Sequence, residues 1–112
     1  KFWCRRNGVW NMNDALMKEY EKTFMDKVAV IHAAFNEKPH TVAYVLVDKT
    51  LSDEEKCEEA FMKTNTIDDA WWCNEGVEYI GPEPTCRSTT NNDFVLVGNT
   101  KYKCARVGWE KV

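Results

Sequence analysis

At 112 residues, 44% of them hydrophobic, the chain is long enough for a single domain over 1–112 with one modest core. Its net charge of −3, with no basic stripe to meet phosphates, argues against nucleic acid as a partner. The longest mostly apolar run, Thr41 to Val47, falls far short of the ~20 residues of a membrane-spanning helix, so no membrane insertion is expected.

The chain opens on Lys1 to Trp10, a basic and aromatic segment with Phe2, Trp3, Arg5, Arg6 and Trp10, and with a turn signal at Asn7-Gly8. It has neither an initiator Met nor a signal-like start, so the expectation is a mature chain whose signal peptide has been removed. From Asn13 to about Phe35, apolar residues recur at Leu16, Tyr20, Phe24, Val28, Ile31 and Phe35. Spacings of three and four predict one long amphipathic helix, capped at Asn11 or Asn13 and stopped by Asn36 and Pro39.

Thr41 to Asp48 reads as a strand apolar on both faces, and therefore central in its sheet. Ser52 and Glu55 form a capping box that predicts a short helix to about Lys63, burying Cys57, Ala60 and Phe61. Asp69 to Cys73 and Val77 to Ile80 are weaker strand candidates. Phe94 to Val97 and Lys101 to Val107 flank Gly98-Asn99-Thr100, a hairpin signal; a Gly98-Asn99 loop would set Val95 opposite Tyr102. The expected architecture is α+β: one long N-terminal helix and one short helix packed on a curved antiparallel sheet, stapled by disulfides.

The staples are expected from Cys4, Cys57, Cys73, Cys86 and Cys104. Their scatter gives no C-x2-C metal pair and suits an oxidising compartment, so the protein is expected to be secreted. Cys73 to Cys86 encloses a short, turn-rich loop whose closure could contribute ~3 kcal/mol. Cys4, Cys57 and Cys104 then compete for a second bridge. The remaining thiol could pair with another chain and form a dimer, or with a small thiol. No Asn-x-Ser/Thr sequon occurs.

No catalytic, metal or cofactor motif emerges. His32 and His40 are not spaced as zinc ligands, neither Ser52 nor Ser88 sits in a nucleophile elbow, and the glycines form no nucleotide loop. The Gln-x-Val-x-Gly loop of cystatin-type inhibitors is also missing. Charge is the positive signal. Asp48 to Glu83 holds eleven acids and three lysines, a net −8, while the remainder is +5. Such a split attracts a cationic partner and speeds its arrival.

Inside the acidic segment, Trp71 and Trp72 stand beside Asp68, Asp69, Glu75 and Glu78. An exposed tryptophan rimmed by acids can anchor a protein or wall a pocket for a small cation. These six residues are the expected partner-binding surface. The expected function is a non-enzymatic binding protein that engages an extracellular, basic protein. A carrier of a small amphipathic or cationic ligand in a helix–sheet cavity is one alternative. A small carboxylate-dependent hydrolase is another.

Overall fold

Residues 25–48 form the centre of the fold as two long antiparallel strands, the first where the second half of a helix was expected and the second where a strand was expected. The computed structural model describes residues 25–66, 70–81 and 83–112, and the backbone of Arg5–Arg6 (β1) and Val9–Trp10 (β2). β1 and β2 pair with each other, Arg5 opposite Trp10 and Arg6 opposite Val9. Then follow β3 (Met25–His32), β4 (His40–Asp48), α1 (Asp53–Lys63), β5 (Val77–Tyr79), β6 (Phe94–Val97), β7 (Thr100–Cys104) and β8 (Trp109–Lys111). The last six strands make one antiparallel sheet in the order β5-β4-β3-β6-β7-β8. The class is α+β, with a single helix of more than one turn among the described residues.

The first correction concerns the N-terminal helix. Its predicted stretch from Asn13 to Phe24 lies outside the described residues, but its second half is β3. The stripe that suggested a helix holds Val28, Ile31 and Phe35. Here Val28 and Val30 share one face, paired across to Val45 and Ala43, while Ile31 lies on the other. Val28, Val30 and Ile31 are β-branched, stiff at χ1 and better suited to a pleated surface. Register with the equally β-branched β4 buries Val28 and Val30 completely. Where pairing moves from Ala43 to Thr41, Val42 is the extra residue of a bulge.

Other expectations hold in outline. β4 is flanked on both sides, by β3 and β5. Ser52 caps α1 by accepting from the Glu55 amide (3.2 Å), and the Ser52 amide donates to Glu55 Oε1 (2.9 Å). The hairpin forms as a two-residue loop with Val95 opposite Tyr102, and Gly98 takes the φ of +59° that favours glycine. The strand expected at Asp69 to Cys73 is instead a 3₁₀ turn at Trp71–Cys73.

α1 lies on one face of the sheet. Its Cys57 and Ala60 are small and fully buried, so the helix approaches closely against Val28, Val45, Val47, Val95 and Val97. Burying each valine contributes ~1.5 kcal/mol or more. Lys56 leaves the same face through an ion pair to Asp26 (3.0 Å).

The second correction concerns the staples. None of the described cysteines is bonded to another, the expected Cys73–Cys86 bridge included; Cys4 lies outside the described residues. Cys57 and Cys104 are buried in the core, and Cys86 faces His32. The segments around Cys73 and Cys86 are instead joined by the Trp71 indole, whose Nε1–H donates to the carbonyls of Cys86 (3.2 Å) and Arg87 (3.0 Å).

β3 turns into β4 through Phe35 (φ 58°) and Asn36 (φ 62°). Asparagine tolerates this left-handed region, but a bulky phenylalanine does not, and the Phe35 ring stands 75% exposed over Arg87. Phe35→Gly is therefore expected to be about 1 kcal/mol more stable than Phe35→Ala, since both lose the ring and only glycine escapes the strain. Urea unfolding of the two variants checks this; equal midpoints would rule out the left-handed turn.

Candidate functional site

The acids of α1 fall on one flank because of helical spacing. Glu54 and Glu58 are four residues apart, as are Glu55 and Glu59, so each pair stacks along the helix. The first turn, with Asp53, Glu54 and Glu55, is stabilised by the helix N-terminus. Glu58 and Glu59 lie beyond that help, and like charges one turn apart repel by a few tenths of a kcal/mol per pair.

Opposite this flank stands the edge of the sheet. β8 pairs with β7, Trp109 opposite Cys104, which brings the Trp109 ring against α1. Its Nε1–H donates to Glu58 Oε2 (3.1 Å), and its ring stands nearly perpendicular to that of Phe61, the centroids 6.2 Å apart. Tyr102 of β7 donates to Asp53 Oδ2 (2.7 Å); that bond, and to a lesser extent burial, holds the phenol up at about 12. Between helix and edge runs an open groove of about 320 Å³, lined by Leu51, Glu54, Glu55, Glu58, Glu59, Gly108 and Trp109. Its negative field reaches the core: burial first, and then Asp53, Glu54 and Glu58, push the Cys57 thiol up to about 12.

Of the six residues expected to bind a partner, none of the four that are described lines this groove. Asp68 and Asp69 lie outside the described residues. Trp71 is fully buried, edge-on to Trp72 and Tyr79. Trp72 is half-buried, Glu75 is exposed next to the Gly76 turn, and Glu78 sits half-buried in β5 opposite Tyr44. The groove draws on the same acidic segment, but its tryptophan is Trp109. The four-residue spacing of the glutamates was available in the sequence as a signal. The closeness of Trp109 depends on the β7–β8 pairing and was not.

A second polar cluster gathers where β3 ends. Asp93 is fully buried, and its carboxylate accepts the amides of Ala33 (2.8 Å), Ala34 (2.9 Å) and Thr90 (2.8 Å). Arg87 grips it with two N–H groups (2.7 and 2.8 Å) and also pairs with Glu37. Burial alone would raise the Asp93 carboxyl, but the Arg87 and amide bonds outweigh it and hold it at about 2. Beside it lies His32, 1% exposed, with Nε2 at 3.0 Å from Thr89 Oγ1 and 3.9 Å from Asp93 Oδ2. Burial dominates here and lowers the imidazole to about 4.

Among the described residues no three His, Cys, Asp or Glu side chains are grouped to hold a metal ion, and no helix is long and apolar enough to cross a membrane. Comparison with protein-family models, with curated proteins and with solved structures gave no match.

Proposed function

We propose that the chain is a non-enzymatic binding protein whose acidic groove along α1 receives a cationic side chain of a basic protein partner. One observation carries this reading: Trp109, tied to Glu58, faces a row of four glutamates across an open groove. Guanidinium is the cation that fits best, since it can stack on indole while its N–H groups meet carboxylates. A bound cation would also relieve the repulsion within the two stacked glutamate pairs. Two of the four carboxylates, Glu55 and Glu58, already hold hydrogen bonds within the fold, which favours a fixed binding surface over acid–base chemistry.

Calorimetry with an arginine-rich peptide at low salt tests the proposal. Glu54→Gln, Glu59→Gln and Trp109→Ala are each expected to weaken binding, the last about tenfold, and added salt should weaken it further. Binding that is insensitive to both Trp109→Ala and salt would discard the groove. The groove's volume is also at the low end for small-ligand sites, so a small organic cation is the second reading. Native mass spectrometry with a short diamine separates the two: a retained diamine with no peptide binding favours the carrier. Action outside the cell remains part of the proposal on the ground of the scattered cysteines alone.

A further inference from the structure

β8 closes one end of the sheet, and its hydrogen-bonding phase aims a row of main-chain groups outward. In an antiparallel pair, residues that exchange hydrogen bonds alternate with residues that do not. The bonds from the Ala105 N–H to the Gly108 carbonyl (3.0 Å) and from the Val112 N–H to the Lys101 carbonyl (2.9 Å) set that phase for β7 and β8. Glu110, opposite Lys103, therefore turns its N–H and C=O towards β7. Trp109 and Lys111 turn theirs away from the sheet, where no described strand pairs with them. Side chains follow the same alternation. Trp109 and Lys111 project on the face that carries α1, and Glu110 projects on the other. Trp109 bonds Glu58 of α1 there, and Lys111 lies opposite Tyr102, which bonds Asp53.

We infer that β8 is a docking edge for an extended basic segment of the partner, which adds to the sheet as a further antiparallel strand. The inference rests on the groove reading above and specifies how the partner's cation reaches the acids. A residue placed opposite Trp109 exchanges two main-chain hydrogen bonds with it. Its side chain projects on the α1 face, with its Cβ about 5 Å from that of Trp109. There the groove opens, with Gly108 and Trp109 facing Glu54, Glu55, Glu58 and Glu59. An arginine at this position is delivered to the four carboxylates by the backbone pairing itself.

Charge then sets the register. The position opposite Lys111 lies two residues away on the same face, and a second basic residue there would meet a like charge. The edge therefore selects a segment with arginine opposite Trp109 and an acidic or neutral residue opposite Lys111. β8 has only three residues, and Glu110 and Lys111 are charged and exposed, so it is a poor template for indiscriminate apolar strands.

The test is calorimetry of the full chain with the capped peptide Thr-Thr-Glu-Val-Arg-Thr-Lys and two backbone N-methylated forms of it. Methylating the arginine amide removes the N–H that donates to the Trp109 carbonyl and sets a methyl group against the edge. Methylating the valine amide changes a group that points away from β8. All three peptides carry the same side chains. The arginine-methylated form is expected to bind at least about tenfold more weakly than the parent, and the valine-methylated form within about threefold of it. Hydrogen exchange at the Trp109 and Lys111 amides is expected to slow at least about tenfold when the parent peptide saturates the protein. Equal affinity of the two methylated forms, unchanged exchange at both amides, or no binding of the parent peptide would each overturn strand addition. The groove reading is judged separately, by the arginine-rich peptide. Binding of that peptide that depends on Trp109 and on salt, with no methylation difference here, keeps the groove and removes the strand.

Discussion

Asp93→Ala is expected to cost about 4 kcal/mol of unfolding free energy, a large share of what a small domain possesses. The carboxylate is fully buried and both oxygens are in use: Oδ1 accepts from Ala33, Ala34 and Arg87, and Oδ2 from Thr90 and Arg87. Alanine leaves three amides and half of a guanidinium fork without an acceptor. An abandoned partner inside the protein costs more than the bond itself contributes. Two of those amides lead directly into the Phe35–Asn36 turn, so the β3–β4 connection loses the contact that holds its strained residues. Asp93→Asn is expected to cost less, about 2 kcal/mol, because one acceptor oxygen survives while the charge and the two-pronged pairing with Arg87 do not. Urea unfolding midpoints at neutral pH check both values. If both variants lie within about 1 kcal/mol of the parent, the cluster is peripheral to stability.

The features that were legible in the sequence are the local ones. Ser52 and Glu55 are three residues apart, so the capping box that starts α1 could be read without knowing the rest of the chain. Gly98-Asn99 likewise set the β6–β7 register, because a two-residue loop leaves no alternative pairing. β3 misled because Val28, Ile31 and Phe35 satisfy a helical period while Val28 and Val30 satisfy a strand period. The choice was made by β4, which offers a β-branched partner surface that no local window contains. Trp71 shows a related limit. Its acidic neighbours suggested a surface, yet its indole N–H finds carbonyls at Cys86 and Arg87, and that pairing makes full burial affordable. Arg87, Asp93 and His32 were invisible as a unit because about 60 residues of sequence separate the strand end from the carboxylate that pins it. The groove was half legible: the glutamate run was plain, whereas Trp109 reaches it only through the pairing of two edge strands.

Acid should destabilise the protein from about pH 6.5 downward. His32 has an ordinary value of 6.5 when unfolded and about 4 when folded, because burial disfavours its cationic form. Between those values the unfolded chain binds more protons than the native one, so unfolding becomes easier as pH falls. The contribution is fully present above about pH 6.5, is lost progressively towards pH 4, and amounts to about 3 kcal/mol. Asp93 extends the loss lower still: its folded value of about 2 lies below the unfolded 3.8, so its own contribution drains away as pH falls through that second window. The structural reason for the first loss lies in what an added proton would meet. The Thr64 hydroxyl donates to the Ala60 carbonyl and so accepts from Thr89, which leaves Thr89 Oγ1 to accept from His32 Nε2–H; the new proton must therefore go on Nδ1, where Cys86 Sγ at 3.7 Å is a poor acceptor. It would also place a second cation beside Arg87, whose charge Asp93 and Glu37 already balance. Urea midpoints at about pH 7, pH 5.5 and pH 4.5 should therefore fall stepwise, with the same slope in His40→Gln. A flat profile over that range would show that His32 accepts a proton in the native state as readily as in water, and the buried hydrogen-bond chain from Ala60 to Cys86 would have to be redrawn.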